Sequence, residues 1–554
     1  LFALLLAGVL ALAAPQAARA DAVKVGTAEA LTSAIDNANG ATTIELEGDI
    51  RLTGTLQVAD GKDVTLTGEH SVTFSSDGSY VTAGKGSVAV SVAKGGSLTL
   101  EDGVTLDGTG CGAKTALYSN GAVTLDGGSI ANFSHAHGNR SLILSEGSNA
   151  SFTITSGSIK NNDSSAAHPG GVLEVSKGAK LVMSGGEISD NKAAEKADMA
   201  GIVIVGISQY AGIGSGTNED PAGTFEFTGG TISNNTAATT VYVGESHAAL
   251  MPRYHQFEVT FANAASMTMS GDAKISGNTS TEFGGGVAVW GPGRFTMEGG
   301  TISGNTSPMG GGVAAVDTYS MGDLEHRVVR SDSQYGGVSL DEWSKTRPAA
   351  FTLDGGTITG NKAESSTGEP VGAGVYVSSN EVCLKSGTIS GNTAVSDEGA
   401  KGGQGGGVYV SALPYTLRLQ NALVTGNTAT GLGGGLWLCP MGAAESHVKN
   451  GGAILGNTSE GAGDDVASLA KDREGADTGS SLSLRDRLLG NHRVDWYQDG
   501  AVDKTPGVLG TADAGVARYP SLKNKLGGVI EKSKDDVALK AVTGDDDAAV
   551  AAAR

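Results

Sequence analysis

The chain has 554 residues, of which 87 are glycine, and its hydrophobic content of 39% includes only 5% aromatic residues. Glycine is therefore over twice as frequent as usual, and the apolar content is low for one globular core of this size. The formal net charge of −21 argues against nucleic acid and anionic membrane surfaces as partners, because both would repel the chain. The three cysteines, Cys111, Cys383 and Cys439, are too few and too scattered for a disulfide framework or a zinc site, so we expect free thiols.

The first twenty residues have the features of an export signal. Residues 1–20 read LFALLLAGVLALAAPQAARA, an apolar run followed by the small-x-small pattern Ala18-Arg19-Ala20. An initiator Met and a basic segment do not precede the run, so we expect the sequence to start inside the signal peptide. The run is too short for a transmembrane span. These features predict a secreted, extracellular protein, with any surface attachment made through a region outside this sequence.

Residues 21–45 are predicted to form an N-terminal cap with a helix at 27–39. Thr27 can cap the helix N-terminus, and Leu31 and Ile35 share one face. An apolar helix face here would close the end of a tube, since the open end of a repeat array exposes core side chains and unpaired strand edges.

One phrase recurs from about residue 123 to residue 458, and its fullest version is FTMEGGTISGNTSPMGGGVAAV at Phe295–Val316. Nine copies can be aligned on an asparagine that follows a turn residue. The shortest spacings between copies fall in the twenty-to-fifty-residue range typical of solenoids. The aligned residues are Asn162, Asn191, Asn235, Asn278, Asn305, Asn361, Asn392, Asn427 and Asn457.

The repeat predicts three short strands per coil. Phe295 and Met297 alternate with polar residues, Ile302 lies in a second strand, and a third strand follows a glycine run. In the third strand we expect Tyr376, Tyr409 and Trp437 to point outward. The sequence therefore predicts an all-β fold, a right-handed single-stranded parallel β-helix over residues 46–460. A dozen or so coils would form a rod of roughly 60–70 Å, and we expect a monomer.

The nine aligned asparagines are interpreted as structural residues. Each lies at a corner such as Gly304-Asn305, where asparagine tolerates left-handed geometry and can cap its own backbone. Stacked coils would place them in register, with each amide bonded to its neighbours in an asparagine ladder.

Three long insertions, Gly206–Thr224, Glu245–Ser266 and Asp317–Ala350, all fall between a third strand and the next first strand. Matching positions place them at one corner, and the same junction needs only Gly291–Arg294 elsewhere. Long loops and their aromatic residues favour a binding surface, although loops that simply cover the flank of the tube would share this position. The candidate binding residues are Tyr254, His255, Tyr319, His326, Tyr335 and Trp343.

After the last repeat, residues 461–520 are predicted to form a C-terminal cap or small β appendage around Trp496 and Tyr497. Residues 521–554 are rich in alanine and aspartate and are predicted to be a linker or tail.

The repeat resembles the pectate-lyase-like right-handed β-helix superfamily. In detail, GGGVYV at 405–410 and ISGNTA at 389–394 are similar to the GG-[AILV]-[ILVY] and F-x-x-N repeats of bacterial surface proteins such as the chlamydial polymorphic outer-membrane proteins, with Ile389 in place of Phe. The resemblance implies a bacterial surface protein. We expect no C-terminal autotransporter barrel in this sequence, which would be a departure from that family.

The superfamily also includes polysaccharide lyases and glycoside hydrolases, but their Asn-Thr-Asp, Gly-His-Gly and Arg-Ile-Lys signatures are absent. A catalytic constellation could lie only in the largest insertion, among Asp323, Glu325, His326, Asp341 and Glu342. We therefore expect a non-catalytic, adhesin-like binding rod for a host surface or a polysaccharide, without cofactor or metal. The alternatives are a polysaccharide-cleaving enzyme of this fold and a passive structural spacer.

Overall fold

A computed structural model of the chain describes most of residues 22–469 and two later strands. The described residues are 22–83, 86–134, 141–166, 170–195, 201–206, 221–244, 264–291, 293–317, 349–366, 368, 370–396, 402–411, 415–439, 442–446, 453–460, 463–469, 481–484 and 496–499.

The structure contains one helix, α1 (Ala28–Asp36), and 46 strands. The strands of the first coils are β1 (Val23–Val25), β2 (Gly40–Leu46), β3 (Ile50–Gly54), β4 (Leu56–Val58), β5 (Lys62–Thr67), β6 (Ser71–Ser79), β7 (Thr82–Ala83), β8 (Gly86–Val92), β9 (Ser97–Glu101), β10 (Thr105–Asp107), β11 (Thr115–Ser119), β12 (Ala122–Ala131) and β13 (Ile143–Glu146). The middle coils contain β14 (Ser151–Lys160), β15 (Asp163–Ser164), β16 (Leu173–Ser176), β17 (Lys180–Ser189), β18 (Lys192–Ala193), β19 (Gly201–Gly206), β20 (Thr224–Ser233), β21 (Thr236–Ala237), β22 (Thr239–Gly244), β23 (Ala265–Met269), β24 (Lys274–Ser276), β25 (Thr279–Ser280), β26 (Val287–Trp290), β27 (Gly293–Met297), β28 (Thr301–Ser303), β29 (Thr306–Ser307) and β30 (Val313–Val316). The last coils contain β31 (Ala349–Thr359), β32 (Lys362–Glu364), β33 (Val375–Ser378), β34 (Val382–Ser390), β35 (Thr393–Val395), β36 (Val408–Val410), β37 (Thr416–Leu419), β38 (Leu423–Thr425), β39 (Thr428–Ala429), β40 (Leu436–Leu438), β41 (Ala443–Ser446), β42 (Ala453–Leu455), β43 (Thr458–Ser459), β44 (Val466–Leu469), β45 (Ser481–Leu484) and β46 (Trp496–Asp499).

These strands form three long sheets. Sheet 2 has 15 strands (β4, β7, β8, β11, β13, β16, β19, β22, β26, β30, β33, β36, β40, β44 and β46), sheet 3 has nine (β15, β18, β21, β25, β29, β32, β35, β39 and β43), and the remaining 22 form sheet 1. Among the described strands every pairing is parallel except β7–β8. From β14 to β44 each coil passes through the three sheets in turn and begins again one strand further along, whereas the earlier coils use only sheets 1 and 2. The predicted parallel β-helix is confirmed.

The strands within a coil differ from the prediction in two ways. The predicted first and second strands belong to one sheet, sheet 1, and run without a break in β14 and β31 but are separate in β27 and β28. We call these two parts the first arm and the second arm. Sheet 3, directly after the asparagine corner, was not predicted, because strands of two or three residues are too short to show a periodic pattern.

The core is built from columns of matching residues. In the first arm Phe295 stacks between Met267 and Phe351, and the Phe295 and Phe351 rings lie 5.3 Å apart at 15°. In the second arm Ile302 stacks between Ile275 and Ile358. All of these side chains are at most 1% exposed, so each coil buries its apolar face against the coils on either side.

The nine repeat asparagines form one buried column, and none of them is more than 3% exposed. In each of the first eight, the backbone N–H and Nδ2 both donate to Oδ1 of the next asparagine at 2.9–3.0 Å. Nδ2 also donates to a core carbonyl of the preceding coil, as Asn305 does to Ile275 at 3.0 Å. The ladder therefore bonds each coil to both of its neighbours.

The left-handed residue at each corner is the one before the ladder asparagine. Gly304 has φ +63°, and the equivalent Asn161, Asp190 and Asn234 have φ values of 56–57°. The expectation that the ladder asparagine itself tolerates this geometry and caps its own backbone was wrong, because its amide bonds to adjacent coils. The preceding position is Gly, Asn or Asp in every copy, since these residue types adopt left-handed backbone geometry at the lowest energetic cost.

The two ends of the tube also differ from the predicted boundaries. Helix α1 ends at Asp36, three residues before the predicted end, and its buried Leu31 and Ile35 pack against the first strands. Sheet 1 already begins at β1, inside the predicted cap. Beyond residue 460, β44 and β46 continue sheet 2 in parallel register, so the described part of 461–520 extends the tube.

Candidate functional site

The three insertions join the same two sheets. They follow β19, β22 and β30 in sheet 2 and precede β20, β23 and β31 in sheet 1. Between β26 and β27 the same passage takes only residues 291–292. The attachment points therefore lie along one edge of the tube, between the carboxyl ends of sheet-2 strands and the amino ends of the first arm.

The six candidate binding residues, Tyr254, His255, Tyr319, His326, Tyr335 and Trp343, lie outside the described residues. The same holds for the acidic and histidine set of the largest insertion, Asp323, Glu325, His326, Asp341 and Glu342. What the structure describes at this corner is the surface on either side of the insertions.

On one side lies the outer face of sheet 2, which carries an apolar strip. The alternation of the strands places the strip on the face opposite the core valines such as Val241 and Val243. The residues of this apolar strip are Ile204, Tyr242, Ala288, Trp290, Ala314, Val316, Tyr376, Tyr409, Trp437 and Ala467. Its aromatic rings stack along the axis, with Tyr376 and Tyr409 5.5 Å apart and Tyr242 and Trp290 5.9 Å apart.

The strip is buried. The sequence predicted that its aromatic residues point outward from the core, but not that they are shielded from solvent. Tyr376 is 2% exposed and Trp437 0%, while Tyr409 is half-buried. In earlier coils the outward column holds the buried Leu144 and then the polar Glu174, and from Ile204 onward it is apolar without interruption. That change occurs in the coil that carries the first insertion, so the apolar strip and the insertions begin at the same level of the tube.

Three polar groups in or beside the strip have no hydrogen-bond partner among the described residues. They are Nε1 of Trp290, Nε1 of Trp437 and Nε2 of Gln404, in residues that are at most 5% exposed. A buried donor without a partner destabilises the fold by about 1–3 kcal/mol. The strip is therefore an apolar surface that includes a few isolated hydrogen-bond donors.

On the other side lies the outer face of the first arm, where two pairs of oppositely charged side chains occur in the last coils. Lys385 bonds to Asp354, and Arg418 donates to Glu381 at 2.8 Å. Between them, burial raises the pKa of the Cys383 thiol, against the opposing effect of the Arg418 guanidinium. Carboxylates engaged by cations are poorly suited to act as the free acid and base of a glycosidase.

Asp465 is a buried residue whose role the sequence did not reveal. Its Oδ1 accepts the backbone N–H and Nδ2 of Asn457, both at 3.0 Å, so it ends the asparagine ladder. The adjacent Asp464 accepts the backbone N–H of Ser459. The contact between Asp465 and Asn457 lies within one coil, since the two residues are only 8 positions apart in the chain.

No group of three or more His, Cys, Asp or Glu side chains suited to a metal ion occurs in the described part of the chain. Across the same residues, no helix is long and apolar enough to cross a membrane. Comparison of the chain with family models, with curated proteins and with solved structures finds no match.

Proposed function

We propose that this protein is a secreted or cell-surface binding rod, similar in kind to a bacterial adhesin, that presents its insertions to a host surface or a polysaccharide without cleaving it. The observation that carries the proposal is the shared attachment edge of the three insertions. The tube crosses that edge in two residues between β26 and β27, so the longer segments exceed what the tube requires.

The attachment points of the three insertions are also close together along the tube axis. β19, β22, β26 and β30 are consecutive in sheet 2, and successive strands lie about 4.8 Å apart. The three attachment points therefore fall within roughly 15 Å along the axis. Neighbouring long loops on a rigid scaffold are a common way to build a binding surface.

Export follows from the N-terminal segment, whose apolar run and Ala18-Arg19-Ala20 pattern are typical of a secretory signal. The resemblance of the repeat to bacterial surface proteins supports the same location. The pairing of Asp354 with Lys385 and of Glu381 with Arg418 favours binding over polysaccharide cleavage by these two carboxylates.

A passive spacer is the second candidate, and the burial of the apolar strip favours it. Residues on the outer face of sheet 2 such as Trp437, which is 0% exposed, must be covered by other parts of the chain. Insertions that serve only as that cover would leave the rod without a ligand.

The experiment is a glycan-array measurement on the purified chain, with assays for new reducing ends and unsaturated products on every hit. We expect binding without product, and loss of binding when residues 318–348 are replaced by a four-residue turn. Product release would contradict the proposal and favour the enzyme. An absence of both binding and turnover would favour the spacer.

A further inference from the structure

The outer surface of the second arm and sheet 3 is covered mostly by hydroxyl side chains. Its positions are in register from β20 to β39, and Ser or Thr occupies all of them except Lys274, Lys362, Glu364, Val395 and Leu423. We call this surface the hydroxyl face. Its Ser and Thr residues are Thr231, Ser233, Thr236, Ser276, Thr279, Thr301, Ser303, Thr306, Thr357, Thr359, Thr388, Ser390, Thr393, Thr425 and Thr428.

Most of these hydroxyls have no hydrogen-bond partner among the residues that the structure describes. In the described part of the chain, the exceptions are Ser390 with Thr359 at 3.3 Å and Thr428 with Thr458 at 3.1 Å. All of the hydroxyl residues are at least partly exposed. Each free hydroxyl can both donate and accept a hydrogen bond, so the face offers rows of unused donors and acceptors.

The face is nearly uncharged in a strongly charged protein. The chain has 38 Lys and Arg and 59 Asp and Glu residues, yet the face carries only three of them, Lys274, Lys362 and Glu364. The charge of Lys362 is paired with Glu364 at 2.7 Å. A ligand that carries charge would therefore gain little here, and a second copy of this acidic chain would be repelled.

The face is also rigid and periodic. The asparagine ladder and the column of core isoleucines such as Ile302 and Ile358 lie directly beneath it. Its hydroxyl rows repeat about every 4.8 Å along the axis. A ligand that matches several rows at once must itself repeat along its length.

We propose that the hydroxyl face binds an extended chain of a neutral, hydroxyl-rich polysaccharide that lies along the tube axis. Each sugar of such a chain carries hydroxyls that can both donate and accept hydrogen bonds. The face lacks aromatic side chains for stacking on single sugar rings, so affinity must come from many weak contacts made together. A flexible chain can pass over Lys274, Lys362, Glu364, Val395 and Leu423, which interrupt the rows and would prevent a close fit to a rigid ice lattice.

This site does not include the insertions and does not depend on the proposed function. The test measures co-sedimentation of the purified chain with microcrystalline cellulose and with insoluble mannan, and solution binding of the matching hexasaccharides. We expect binding to at least one polymer and at least tenfold weaker binding of its hexasaccharide. Shortening residues 318–348 should leave polymer binding unchanged.

The test variant carries Thr301→Val, Thr357→Val and Thr388→Val, which remove three hydroxyls while keeping the shape and strand preference of the side chains. Its matched control carries Thr268→Val, Thr296→Val and Thr352→Val, in one column of the first arm. We expect the test variant to lose at least tenfold in polymer affinity and the control to lose less than twofold. Should the first triple fail to fold by circular dichroism, Thr359→Val with Thr425→Val removes hydroxyls from the adjacent row.

Equal binding by the test variant and the control would overturn the proposal, as would a lack of binding to both polymers or hexasaccharide binding as tight as polymer binding. Thermal hysteresis of the native chain that the test variant retains would assign the face to ice and would also overturn it.

Discussion

The smallest unit that holds this molecule together is one ladder asparagine. Asn305 is fully buried, donates to Asn361 and to the Ile275 carbonyl, and accepts two N–H donors from Asn278. No other side chain of similar size combines a fixed acceptor and two donors in this way. The corner could be predicted from the sequence because the residue type recurs at a fixed place in every copy.

Replacement of Asn305 by Ala should lower the free energy of unfolding by about 3 kcal/mol, because it leaves the Asn278 donors and the Ile275 carbonyl buried without partners. The measurement is urea unfolding followed by far-ultraviolet circular dichroism. Thr306→Ala is the control, since this half-exposed side chain makes no hydrogen bond in the described structure, and we expect a change within about 0.5 kcal/mol. Equal losses in the two variants would show that the ladder bond contributes nothing specific.

The left-handed residue of the same corner allows a second test. A Cβ at Gly304 would meet no atom closer than 3.9 Å, so the cost of a side chain there is the backbone strain at φ +63° alone. We expect Gly304→Ala to destabilise the protein by about 1 kcal/mol. Gly304→Asn should destabilise it less, because Asn already occupies this position at Asn161 and Asn234. Measured by the same unfolding assay, a larger loss for Asn than for Ala would contradict this explanation.

At the scale of the strands, alternation predicted the core columns, including the one that contains Phe295. Alternation did not predict the features that depend on contacts between neighbouring coils. The joining of the two arms and the pairing of Thr306–Ser307 in sheet 3 depend on neighbours about 27 to 56 residues away. For the same reason the period-two pattern could place Trp437 on the outer face of sheet 2 but not show that this face is buried.

The last rung of the ladder predicts the behaviour of the C-terminal coils. Asp465→Ala removes the acceptor of two Asn457 donors, whereas Asp465→Asn keeps a carbonyl oxygen in its place. We expect amide hydrogen exchange in β43 and β44 to be at least tenfold faster in the alanine variant and nearly unchanged in the asparagine variant. Exchange in β14 and β17 serves as the internal control. Faster exchange in both variants would show that the charge of Asp465 is what the ladder needs.

The apolar strip can be tested in the same way. Trp437 is 0% exposed, so Trp437→Ala should cost about 3–5 kcal/mol, as in a protein core. The control is Thr352→Ala, which truncates a half-exposed side chain on the outer face of sheet 1. Unfolding of the two variants should differ by several kcal/mol. A loss of less than about 1 kcal/mol at Trp437 would mean that the outer face of sheet 2 is open to solvent in solution.

At the scale of the whole molecule, the protein is a rigid tube with its additional chain attached along one edge. Sheet 2 stacks fourteen strands in one path, which corresponds to a rod of roughly 60–65 Å. The sequence predicted the tube and the attachment edge because both follow from repeated residues. The identity of the binding residues could not be predicted, because the three insertions do not share a sequence pattern. No aromatic residue of one insertion can therefore be aligned with a residue of another.

The most direct measurement compares the native chain with a variant in which residues 318–348 are replaced by Gly-Pro-Gly-Arg, the junction found at Gly291–Arg294. Thermal unfolding and ligand binding are followed on both. We expect melting temperatures within a few degrees of each other and loss of binding to the array ligand, because the tube crosses this edge elsewhere without an insertion. A variant that melts far below the native chain would assign the insertion to covering the apolar strip, and a variant that binds as well as the native chain would show that the insertion does not carry the binding surface. Either result would contradict the account.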